Sequence, residues 1–72
     1  MSNPLHYVIT LQWSDARGIN NCGTYSDVIS PDGRTRMQLY LDILNHAARE
    51  YGAPPDRSSV LFFSLEPNEI AA

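Results

Sequence analysis

Cys22, His6 and His46 are the residues of this chain that could begin a nucleophilic mechanism. In such a mechanism a thiolate attacks, an imidazole takes its proton, and a carboxylate orients the imidazole. The chemistry needs thiol and imidazole in contact, and no family-specific signature surrounds Cys22. A small residue in a turn or at a strand edge, with two unrelated histidines, explains the same positions without catalysis. The chain therefore reads as a non-enzyme with no catalytic residue. Neither histidine is read as having a second ligand at i+3 or i+4, and no acidic cluster has calcium-loop spacing, so no metal or other cofactor is expected. Cys22 is the sole cysteine, which excludes an internal disulfide and a four-cysteine zinc site.

A second chemistry lies in Pro31-Asp32-Gly33-Arg34-Thr35-Arg36. Two guanidinium groups and a hydroxyl stand beside a predicted helix N-terminus, where free N–H groups and the helix dipole attract anions. Arg17, in a predicted hairpin loop, is the candidate third cation. Arg34, Thr35, Arg36 and Arg17 would together suit a phosphate-bearing ligand or nucleic acid. A capped turn with solvated arginines, one paired with Asp32, accounts for the same residues, and the glycine-rich phosphate-loop patterns are absent.

Composition weighs against nucleic acid. Five arginines and no lysine face eight carboxylates, for a net charge of −3, the wrong sign for a general nucleic-acid binder. An all-arginine basic set is usual where codons are GC-rich, which suggests a bacterial or phage genome. Tyr7, Trp13, Tyr25, Phe62 and Phe63 match the aromatic content of sheet-based RNA readers. A chain of 72 residues, however, needs its large side chains for a core.

One helix must position much of this. Met37, Tyr40, Leu41, Leu44, Ala47, Ala48 and Tyr51 recur at three-and-four spacing. The spacing predicts a helix over Thr35–Tyr51, with Leu41 and Leu44 among its most buried residues. Ser30-Pro31-Asp32-Gly33 has turn chemistry. Thr35 and Gln38 have capping-box spacing, Gly52 stands where a left-handed residue is wanted, and Pro54-Pro55 follows. Leu39 and Ile43 fall away from this stripe, Leu39 nearly opposite its centre, where a helix packed once on a sheet should be polar.

Leu5, Tyr7, Ile9, Leu11 and Trp13 alternate with His6, Val8, Thr10 and Gln12, a period-two strand whose odd face should lie under the helix. Gly18 suits the turn after it. The second strand falls between Ile19 and Ile29 with undecided register, and Gly23 is a candidate bulge. Ser59–Leu65 is a nearly continuous apolar run of strand length. A helical return from the second strand allows spatial order 2-1-3, fully antiparallel, which suits the strongly alternating first strand to the middle.

The expected fold is thus a single α+β domain of ββαβ type, a three-stranded sheet with one amphipathic helix on one face and loose ends at 1–4 and 68–72. Chains this small often need reinforcement from a metal, disulfide or partner. With the first two not expected, a homodimer is, through Leu39 and Ile43 on the helix or through the third strand at Phe63. No span of about 20 apolar residues is present, so membrane insertion is not expected and a cytoplasmic location is. The functional expectation is a small regulator, adaptor or inhibitor that contacts itself and another protein. An anion or nucleic-acid binder using Arg34–Arg36 is the alternative.

Overall fold

The structure is a computed structural model that describes residues 3–69, apart from the side chain of Pro55. Its elements are β1 (Leu5–Ser14), β2 (Asn20–Ile29), α1 (Arg36–Tyr51), a single 3-10 turn (Pro55–Arg57) and β3 (Ser58–Pro67). The strands make one antiparallel sheet in the order β2-β1-β3, as predicted. Alternation is what puts β1 in the middle: Tyr7, Ile9 and Leu11 are buried beneath α1, with Leu5 and Trp13 half-buried at the ends.

The β1–β2 hairpin is held by Asp15, whose carboxylate accepts the N–H groups of Arg17 and Ile19, while Gly18 takes φ 78°. Its register runs without a break from Leu5 opposite Ile29 to Ser14 opposite Asn20. Gly23 therefore marks no bulge. The irregularity lies on the other side of β1: Thr10 pairs with Phe62 and Leu11 with Val60, so Leu61 has no partner. Pro4 and Asn68, expected to be loose, are tied by a backbone hydrogen bond from Asn68 N to Pro4 O at 3.1 Å. The rest of the two expected loose ends, other than Asn3 and Glu69, lies outside the described residues.

Both helix ends form as their residues require. Thr35 Oγ1 accepts the Gln38 N–H at 3.2 Å and Gln38 Oε1 accepts the Thr35 N–H at 2.8 Å, a complete capping box. Gly52 closes the other end at φ 64°, its N–H directed to the carbonyls of Ala48 and Arg49.

The face the helix buries differs from the predicted one. Leu39 and Ile43 are 3% and 1% exposed, whereas Met37 and Leu41 are 65% and 47% exposed and Leu44 is only half-buried. At about 100° per residue, the apolar positions from Leu39 round to Leu41 cover roughly 200° of the helix, far more than one contact with a sheet can bury. Periodicity finds the middle of that arc, not the part a sheet will select. Here the selected ridge is Leu39, Ile43 and Ala47, four apart, and the small Ala47 lets the helix come close enough to be fully buried. The helix end fixes the same rotation. Tyr51 stacks on Trp13 with ring centroids 5.2 Å apart, and its hydroxyl donates to the Thr24 carbonyl.

Candidate functional site

The cysteine–histidine constellation is not assembled. Leu11 and Gly23 face the helix, so their neighbours Gln12 and Cys22 face the bare side of the sheet. His6 shares that side but stands six positions from Gln12 along β1, about 20 Å at ~3.3 Å per residue. His46 is on α1, across the sheet.

His46 has a different set of neighbours. Its Nε2 lies 3.1 Å from the Tyr25 hydroxyl and 3.8 Å from Glu50 Oε1. Contrary to the expectation of no second ligand at that spacing, Glu50 stands at i+4 from His46, and helical spacing alone is the signal that finds it. The adjoining cleft, of about 290 Å³, includes Tyr7, Asp27, Asp42 and Ile43 in its lining. Burial pushes the Tyr7 hydroxyl up to about 12, helped by the negative charge of Asp27, by Tyr25 and by Glu50. Tyr25 is also raised, first by desolvation and then by Glu50 and Asp27. Both phenols stay protonated at neutral pH, and that of Tyr25 is hydrogen-bonded to His46. Cys22 does not reach this cleft, and Arg34 meets it only through its ion pair with Asp42, so it presents a positioned imidazole with no thiol beside it.

The arginine segment is already occupied. Arg34 donates from Nη1 to Asp42 Oδ2 at 2.8 Å, from Nη2 to the Ser30 carbonyl and from Nε to the Pro31 carbonyl. It braces the turn onto the helix. Asp32, the partner expected for an arginine, instead accepts from Ser30 Oγ at 2.8 Å, with its backbone in the left-handed region at φ 46°. The Thr35–Gln38 capping box uses the Gln38 N–H that an anion would need. Arg36 is exposed at the helix start. Arg17 sits at the far end of the hairpin, about 30 Å away along ten-residue strands. The four residues proposed as an anion site are not brought together.

The interface residues also need correction. Leu39 and Ile43 belong to the core and present nothing to a partner. Phe63 is half-buried, edge-on to Tyr40 with centroids 4.9 Å apart. Of the six large apolar side chains that are exposed among the described residues, four belong to α1 or β3: Met37, Leu41, Leu61 at 56% and Phe62 at 54%. Met37, Tyr40, Phe63 and Arg36 line a groove of about 340 Å³ between helix and strand. Its signal is in the helix, where Met37, Leu41 and Leu44 repeat at 4-3 spacing as a flank that runs into the buried Ala48.

The aromatic residues divide the same way. Tyr7, Trp13, Tyr25 and Phe63 pack on the helix side of the sheet, and Phe62 alone of the five faces the bare side. Among the described residues no group of three or more His, Cys, Asp or Glu is placed to hold a metal ion, and no helix is long and apolar enough to cross a membrane. No protein-family model, curated protein or solved structure matches the chain.

Proposed function

We propose that this protein is a non-enzymatic, intracellular protein-contact module, a small regulator, adaptor or inhibitor, that works as a homodimer. The observation that carries the reading is the one-sidedness of the sheet. Helix α1 covers one face, while the other presents Phe62 in one row with the Thr10–Thr24 hydroxyl pair, and Val28 four residues further along β2, opposite His6. Single exposed apolar residues are ordinary, but a face of strand-spaced hydroxyl and apolar groups beside an apolar flank is the composition of a contact surface.

The test compares affinity capture by the unmodified protein with capture by a Val28→Glu, Thr24→Glu variant, both positions being exposed. The variant is expected to lose partners that the unmodified protein retains at raised salt. Retention of the same partners by the variant overturns the reading. So does capture that fades with salt and with Arg34→Ala plus Arg36→Ala, the behaviour of an anion binder.

A further inference from the structure

We infer that a second copy of this chain docks on the β3 flank, across a two-fold axis near Phe62 and Phe63, pairing β3 with its counterpart and setting α1 beside its counterpart. The inference rests on the contact reading above and names the partner and the surface.

The two edges of the sheet are not equivalent. The β2 edge is protected: the Asp27 carboxylate takes the Val28 N–H at 2.7 Å, and Asn20, Asn21, Thr24, Ser26 and Asp27 give the strand a polar character. In β3, Ser58–Leu65 carries no charge at all and has Val60, Leu61, Phe62 and Phe63 in succession. A long apolar strand with a free edge is a template for pairing.

The helix flank adds the second half of the surface. Met37 and Leu41 are exposed and half-buried Leu44 continues the row, a seam with the spacing by which helices pack side by side. Tyr40, Leu44 and Ala48 share a groove with Ser58 and Val60, and Tyr40 meets Phe63, so the seam overlooks β3. The Tyr40–Phe63 contact also brings the two midpoints together. Phe63 is at the centre of β3, and Tyr40 lies within one turn of the centre of the seam. A two-fold axis through that region pairs strand with strand and turns the two seams toward each other.

This coincidence selects the occupant. An extended peptide would satisfy the edge of β3 and leave Met37 and Leu41 in water. A lone helix would cover the seam and leave the strand's N–H groups unpaired. A second copy presents both a strand and an apolar helix flank, and the symmetry makes the surface complementary to itself. The product is a six-stranded sheet, β2-β1-β3-β3-β1-β2, with two antiparallel helices on one face. The smallest dimension of the protomer is 15 Å. Over the ~33 Å length of a ten-residue strand, the flank offers on the order of 500 Å² in plan. Side-chain relief adds to that figure, bringing it towards the ~800 Å² per partner of a stable interface.

Analytical ultracentrifugation of the full chain at micromolar concentration tests the proposal. The unmodified protein is expected at twice the 8.1 kDa protomer mass. Met37→Glu with Leu41→Glu changes two residues that are exposed in the protomer, so far-UV circular dichroism should be unaltered while dimer affinity falls at least tenfold. Ile19→Glu, at the exposed hairpin end away from the flank, should leave the dimer intact. A monomer at 100-fold higher concentration overturns the proposal, as does a dimer indifferent to the flank substitutions or broken by Ile19→Glu. A monomer that still captures a partner through Val28 and Thr24 would overturn the dimer alone, with the contact reading left standing.

Discussion

The ring of Tyr51 rests on Gly23: a Cβ built on that glycine would lie 2.7 Å from Cζ of the tyrosine. The contact locks the end of α1 over the β1–β2 hairpin. It explains a glycine in the middle of a strand, where the residue otherwise costs roughly 0.5–1 kcal/mol relative to alanine.

Gly23→Ala should therefore destabilise despite its better strand propensity. The methyl must push the Tyr51 ring from Trp13 and its hydroxyl from Thr24, an overpacking cost of about 1–3 kcal/mol. Urea denaturation of the single variant and of Gly23→Ala with Tyr51→Leu measures this. The second substitution should remove most of the penalty, and additive losses would mean the contact is not its source.

Leu39→Ala and Ile43→Ala are expected to cost about 2–5 kcal/mol each as core truncations. Leu41→Ala should change protomer stability by under about 0.5 kcal/mol. Equal losses at Leu41 and Ile43, read from urea midpoints under monomeric conditions, would contradict the rotation of the helix.

Thr35→Ala removes half of the capping box and should cost about 1 kcal/mol. Thr35→Ser keeps a hydroxyl and should restore most of it. A thermal midpoint unchanged by the alanine substitution would place the effective cap elsewhere.

Arg34→Ala should be more damaging than Asp42→Ala. The exposed ion pair contributes about 0–1 kcal/mol, but Arg34 also serves two turn carbonyls, each such bond being worth about 1 kcal/mol. Equal effects would reduce Arg34 to an ion-pair partner.

The raised Tyr7 value sets a pH window. In the unfolded chain the phenol ionises near its usual 10, and in the folded protein near about 12. Above pH 10 the unfolded state therefore binds fewer protons, and stability falls as pH rises through 12. Urea midpoints across this range should decline less in Tyr7→Phe than in the unmodified protein. Parallel declines would exclude Tyr7 as the cause.

The parts of the fold legible in the sequence were those written in local chemistry. Thr35, Gln38 and Gly52 name the helix ends because caps are made by neighbours a few residues apart. The alternation of Leu5–Trp13 names a central strand because every other residue must be buried. Properties that depend on distant partners were not legible. The rotation of α1 depends on Tyr51 meeting Gly23 and on the small Ala47 approaching the sheet, and neither contact is a local pattern. Glycine is the usual sign of a bulge, which makes Gly23 the candidate in the sequence, whereas Leu61 carries no such mark. The partner of Arg34 was hidden for the same reason. Asp42, which neutralises Arg34, is eight positions away and reaches it only once the helix has formed.

The strand order has a consequence for synthesis. β1 and β2 leave the ribosome as a hairpin and α1 follows, but the second edge of the central strand finds β3 only after more than forty further residues have been made. Until then the nascent chain holds Tyr7, Ile9 and Leu11 beneath an incomplete roof, with one side of β1 unpaired. Chains truncated near Gly52 lack all of β3 and should be prone to aggregate through the unpaired side of β1.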